Sequence, residues 1–309
     1  MITIYKNNEQ GLMTLNEPID GCWINVINPT HEEIIRLHDL GIPPDYITYA
    51  LDQDERPRTE QENGERLVLI RIPYYQGEAS DIPYSSIPLG IILTPQYILA
   101  VCKHESGLIQ DFTSGRVKDL STGKRNRFVL RLLLNTAVKY LVYLREISKV
   151  VDALEDELQQ STRNKEVLEL LKYQKSLTYF TTALKSNELM MEHLVKSRLF
   201  KMYPEDEDLL EDVLTENQQA IEMTNIESNI LSSMMDAFAS IISNNLNGVM
   251  KILASITIVL ALPTMIASFF GMNVHLPLEQ HPAAMSIILA ISLMIAVFTV
   301  YIFYKRDWF

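Results

Sequence analysis

The chain has 309 residues, 47% of them hydrophobic, and a formal net charge of −12 at pH 7. So acidic a chain offers no basic track for nucleic acid, and its two cysteines, Cys22 and Cys102, form neither a zinc knuckle nor a disulfide framework. There is no Gly-rich phosphate loop, Gly-x-Ser-x-Gly elbow or paired catalytic signature, so the chain is not expected to be an enzyme.

Met1-Ile2-Thr3-Ile4-Tyr5 carries neither the basic nor the apolar region of a targeting signal, so the large N-terminal part is expected in the cytosol. Residues 1–124 read as a small α/β domain. Trp23-Ile24-Asn25-Val26 has the texture of a strand, and Thr30-His31-Glu32-Glu33 is a capping box for a helix that stops at Gly41, before Pro43 and Pro44. Arg66 to Ile72 alternates apolar and polar residues like a half-buried strand. Ile87 to Leu93 and Tyr97 to Cys102 flank Thr94-Pro95 as a hairpin does. A mixed sheet with helices packed on it is the economical fold.

Residues 125–203 change to helical periodicity. Phe128 to Gln160 and Lys165 to Phe200 repeat apolar residues every three or four positions and should form an antiparallel pair joined at Ser161-Thr162-Arg163-Asn164. A stalk helix over 204–251 opens at Pro204, with Glu205, Asp206, Glu207 and Asp208 complementing its positive end. It is expected to run unbroken into the apolar segment that follows, about 100 Å in all at 1.5 Å per residue. A helix of that length needs neighbours from its own chain and from other subunits.

Two apolar runs, 252–270 and 283–304, are each long enough to cross a bilayer. The loop between them, 271–282, lacks Lys and Arg and carries Glu279, whereas Lys251 precedes the first span and Lys305 and Arg306 open the tail 305–309. Both termini are therefore expected on the cytosolic side, with Trp308 and Phe309 as an interfacial anchor. Gly271-Met272-Asn273 falls where the first span leaves the membrane. A backbone carbonyl and a side-chain amide held there suit a hydrated cation.

Asn247, Met250, Ala254, Thr257, Ala261, Thr264 and Ser268 follow one another at alternating three- and four-residue steps, and all but Met250 are small or polar. The repeat sets them on one seam. Two readings stand: a seam for tight helix packing in lipid, or the wall of a water-filled path lined by several copies. In the second, Met250 and Leu253 form an apolar constriction that gates by dewetting. No acidic residue lies between Asn247 and Asn273, so only neutral oxygens could hold the ion, and Mg²⁺ dehydrates reluctantly. A membrane-anchored cytosolic binding or sensor protein that conducts nothing is the reading from a different class.

Together these residues resemble the CorA family of divalent metal-ion transporters, bacterial type. The resemblance rests on Gly271-Met272-Asn273 at the end of the first of two C-terminal spans, Asn247-Gly248-Val249-Met250-Lys251-Ile252-Leu253 leading into it, and Pro263-Thr264 at mid-span. Lys305-Arg306-Asp307-Trp308 in the tail, Trp23-Ile24-Asn25-Val26 and Arg56-Pro57-Arg58 extend it over essentially the whole chain. It implies an α+β membrane protein, a funnel-shaped homopentamer whose stalk is continuous with the first span. Such an assembly would move Mg²⁺, and often Co²⁺, into the cytosol down the membrane potential, without ATP or a catalytic cofactor.

Under that resemblance Gly271 and Asn273 supply the filter oxygens, through water, and Met272 packs to hold the turn. Asn247 forms the inner polar ring, Met250 and Leu253 the gate, and Ala254, Thr257, Ala261, Thr264 and Ser268 line the path. Glu279 captures cations at the mouth. Phe270 stands where the family usually has Tyr, and Ser268 where Gly is common. Asp212 matches a stalk carboxylate that senses cytosolic Mg²⁺, but its N-terminal counterpart falls near Tyr49, so Asp52 or Asp54 would have to substitute. The plain alternative for Glu205 to Asp212 is a solvated helix start. His275 and His281 keep a zinc or other transition-metal transporter of the same fold as the competing assignment, although Met272 at the middle of the tripeptide favours Mg²⁺.

Overall fold

The computed structural model describes residues 1–8, 11–160, 164–197, 203–272, 281–306 and 308. The expectations for Asn273, His275, Glu279 and Phe309, and for the joint at Ser161-Thr162-Arg163, lie outside the described residues. The chain divides into two compact units, Met1–Met234 and Met235–Phe309.

In the first unit, among the described residues, the chain forms β1 (Ile2–Asn8), β2 (Gly11–Leu15), β3 (Trp23–Ile27), α1 (His31–Asp39), α2 (Pro44–Leu51), β4 (Arg58–Glu62), β5 (Glu65–Tyr75), β6 (Tyr84–Leu93), β7 (Ile98–Cys102), α3 (Gly107–Thr113), α4 (Arg125–Gln160) and α5 (Asn164–Lys196). It ends in the opening turns of α6 (Pro204–Phe270). The strands make one mixed sheet in the order β2-β1-β3-β7-β6-β5-β4, in which β3 and β7 run parallel and the other neighbours antiparallel. The β6–β7 hairpin pairs Leu93 with Ile98 around Thr94, as the sequence suggests. The capping box also forms: the Glu33 N–H donates to Thr30 Oγ1 at 3.3 Å and the Thr30 N–H to Glu33 Oε2 at 2.9 Å.

Alternate residues of each strand enter different cores, because successive side chains point to opposite faces. Ile24, Val26, Leu67, Leu69, Leu99 and Val101 pack under α1 and α2. Trp23, Val68, Ile70, Ile98, Ala100 and Cys102 pack under α3, α4 and α5. Here the structure corrects one expectation. Leu67, Val68, Leu69 and Ile70 are all buried, so β5 is covered on both faces rather than half-buried; a strand roofed by helices on either side needs no polar face. On the second face Trp23 lies 5.0 Å from Tyr5, 5.3 Å from Phe128 and 6.2 Å from Phe112, ring centre to ring centre.

Arg71 on β5 ties the sheet to the long helices. The Asn187 side chain on α5 accepts from its N–H at 2.9 Å and donates to its C=O at 2.8 Å, imitating a neighbouring strand, and the Tyr140 hydroxyl on α4 donates to the same carbonyl at 3.1 Å. The Arg71 guanidinium donates to Ser86 and to the carbonyls of Gln53 and Glu55. Tyr140 and Phe180 meet edge to face at 4.8 Å, and Ser176 joins Tyr84 beside Tyr143, so α4 and α5 run antiparallel as expected. The start of α6 is fastened by Arg127, whose Nε donates to Asp206 at 2.9 Å and whose Nη2 donates to Glu205 at 2.7 Å. That hydrogen bond from Arg127 holds the Glu205 carboxyl below its ordinary range. Burial pushes the Cys102 thiol up to about 11, which keeps it an unreactive core group.

The second unit holds the remainder of α6 and α7 (Ala284–Lys305). The α6 helix is 67 residues without a break, running into the apolar segment and past Gly248 and Pro263. Both helices contain stretches long and apolar enough to cross a membrane, and almost none of either stretch is buried in a single chain.

Candidate cation path and the groove beside Trp308

The seam on α6 presents an acceptor surface, and this follows from where its hydroxyl hydrogens go. Thr257 donates to Leu253 O at 2.8 Å and Thr264 to Leu260 O at 2.7 Å. A hydroxyl has one hydrogen and two lone pairs, so each threonine spends its donor on the helix and shows oxygen lone pairs outward. Pro263, having no N–H, leaves the Val259 carbonyl without its usual helical bond, a loss tolerated where a neighbour or water can replace it.

Asn247, Met250, Leu253, Ala254, Thr257, Ala261, Thr264 and Ser268 are all exposed in the single chain. Exposure alone does not set the seam apart, since Leu260 and Met265 outside it are also more than half exposed. Ser255, one position beyond the seam, is fully buried, with its hydroxyl donating to Lys251 O at 2.7 Å. The seven-residue spacing passes over it, so the sequence held no signal for its burial.

At the C-terminal end of α6 the ladder tightens. The Gly271 N–H bonds Ala267 O at 3.0 Å and Ser268 O at 3.2 Å, and the Met272 N–H bonds Phe269 O at 3.3 Å. A Cβ on Gly271 would meet only these two carbonyls, at 3.5 Å, an ordinary contact. Among the described residues, nothing within one chain therefore demands glycine there. Just before α7, the His281 ring nitrogen Nδ1 accepts from the N–H of Ala283, the N-cap residue, at 3.2 Å.

The Asn247 end of the seam holds a groove of about 650 Å³ lined by Asn244, Asn247, Gly248, Met250, Lys251, Ala254 and Trp308. Of these, the sequence reading placed Asn247, Met250 and Ala254 on the seam and Trp308 in the lipid interface. The structure brings Trp308 beside the seam as well.

The possible regulatory carboxylates belong to the first unit. Asp52 and Asp54 are exposed neighbours, the Asp54 N–H donating to Asp52 Oδ1 at 3.1 Å, and Asp212 is exposed on α6. Among the described residues no group of three His, Cys, Asp or Glu side chains converges to hold a metal ion. Tyr49, where the resemblance would put a carboxylate, carries the Arg58 guanidinium 4.6 Å above its ring, and Arg58 also pairs with Glu55 and Glu60.

An α/β domain followed by two helices long and apolar enough to cross a membrane defines the class as a two-span membrane protein. The model of the family described as CorA-like Mg²⁺ transporter protein matches residues 20–306, and the chain belongs to that family. The cobalt/magnesium transport protein CorA of Methanocaldococcus jannaschii is 29% identical over 301 residues, covering 93% of this chain and 90% of its own. The protein of the same name from Thermotoga maritima is 23% identical over 293 residues, covering 93% and 83%. In fold, the complete structure of the CorA magnesium transporter from Methanocaldococcus jannaschii matches with a TM-score of 0.86 at 24% identity, covering 100% of this chain and 99% of that one. The full-length CmaX structure matches at 0.71 with 16% identity, over 99% and 97%.

Proposed function

We propose that this protein assembles as a homopentamer around the α6 seam and admits hydrated Mg²⁺, and Co²⁺, to the cytosol down the membrane potential. The observation that carries the reading is the acceptor surface made by Thr257 and Thr264. A hydrated divalent cation turns only water hydrogens outward, so a wall of lone pairs matches it without stripping its shell, which Mg²⁺ yields reluctantly. The names of the two curated relatives point to the same cargo.

In this reading Gly271 and Asn273 offer oxygens at the outer mouth, Met272 steadies their turn and Glu279 concentrates cations outside. Close approach of five copies accounts for glycine at 271. Ala254, Ala261 and Ser268 keep the path wide, Asn247 forms an inner amide ring, and Met250 with Leu253 closes it when dry. Both termini are cytosolic. Any sensing of cytosolic Mg²⁺ would join Asp212 to Asp52 or Asp54 across subunits, since a single chain does not gather them.

The zinc alternative loses ground at Met272, the middle residue of the tripeptide. Flux into liposomes, compared for Mg²⁺, Co²⁺, Ni²⁺ and Zn²⁺ at one negative-inside potential, separates the two. Mg²⁺ and Co²⁺ should enter fastest; Zn²⁺ outpacing both would transfer the assignment to zinc.

A further inference from the structure

We infer that Trp308 is a wall of the inner mouth, a positioning residue that sets apolar surface beside the Asn247–Met250 turn of α6 and limits its wetting, and not only an interfacial anchor. The inference deepens the transport reading and rests on it for its consequence, although the geometry stands by itself.

The position of Trp308 follows from how α7 ends. The Arg306 N–H bonds Ile302 O and Phe303 O, and the Trp308 N–H returns to Phe303 O at 3.1 Å. With Arg306 as the C-cap, that last bond is the six-to-one bond of a Schellman motif, which is often accompanied by an apolar contact between the same two residues. Here that contact is a ring stack: Trp308 and Phe303 lie 5.1 Å apart with planes 4° from parallel. The cap and the stack fix the indole, and its free side borders the groove shared with Asn247, Gly248, Met250 and Lys251. Gly248 leaves that groove open, since an added Cβ would meet nothing within 4 Å.

An indole against the turn that carries Met250 adds apolar surface to the proposed constriction, and a longer dry segment is a higher barrier to a hydrated ion. Removing the ring should therefore wet the turn and raise influx. The outer filter lies at the other end of the span, so the half-saturating Mg²⁺ concentration should not move.

The test uses the full-length protein in liposomes. With Met250→Cys as reporter, the native Cys22 and Cys102 are buried and give little background to a water-soluble maleimide. Trp308→Ala should speed labelling of position 250 and raise initial Mg²⁺ influx roughly fivefold, the factor that about 1 kcal/mol of barrier carries. Trp308→Phe should restore both toward the parent. Unchanged labelling with Trp308→Ala overturns the inference, whatever the influx does. If the parent protein passes no Mg²⁺, the transport reading falls, and labelling still decides whether Trp308 limits wetting of the turn.

Discussion

Leu253→Asn should raise Mg²⁺ influx through the reconstituted protein about tenfold, which is what removing roughly 1.4 kcal/mol from a barrier does. Leu253 lies at the start of the span and is 57% exposed in the single chain. In the assembly we propose, it meets its own copies around an axis. Asparagine shares the branched outline of leucine but is smaller and binds water, so the constriction would stay wet and conduct. Leu253→Met keeps the site apolar and should leave the rate near the parent value. If the seam only packed helices together, an amide at 253 would alter assembly and produce no influx. A fluorescent Mg²⁺ indicator trapped in the liposomes reads the difference directly.

The second large effect concerns folding. Gly90 on β6 is paired with Leu69 and Val101, and an added Cβ would sit 2.5 Å from the Ala50 Cβ on α2. Neither partner can swing aside, because one is strand backbone and the other is a methyl fixed to a helix. Gly90→Ala must lift α2 off the sheet, at a cost of about 3 kcal/mol, the upper part of the range for overpacked cores. Ala50→Gly removes the opposing methyl, and in the double variant about half of the loss should return, as coupling between touching residues predicts. Thermal unfolding of the detergent-solubilised protein measures all three. A single Gly90→Ala variant that melts with the parent would show that α2 is not seated as described.

How much of this was legible in the sequence varied with the kind of signal each element carries. The membrane-crossing helices and the α4–α5 pair announce themselves through long apolar periodicity. The α1 start is written in Thr30 and Glu33. β4 is a different case: Arg58-Thr59-Glu60-Gln61-Glu62 has no apolar residue, because an edge strand needs none. Its signal is the turn that follows, Asn63 and Gly64, both with positive φ (51° and 94°), a pairing that suits a tight hairpin. α2 was hidden by Pro43 and Pro44, which read as the stop of one helix, whereas Pro44 opens the next. The seam was legible because its repeat is local. Trp308 was not, since its place depends on how the end of α7 caps, and no periodicity records that.

The central claim is that Gly271-Met272-Asn273 is the outer end of a conducting path. The most direct measurement is Mg²⁺ entry into liposomes under a negative-inside potential, for the parent protein and for Asn273→Ala, with subunit assembly checked on the same samples. The account predicts entry through the parent and its loss in Asn273→Ala while the assembly stays intact. Equal leak through both proteins would contradict it.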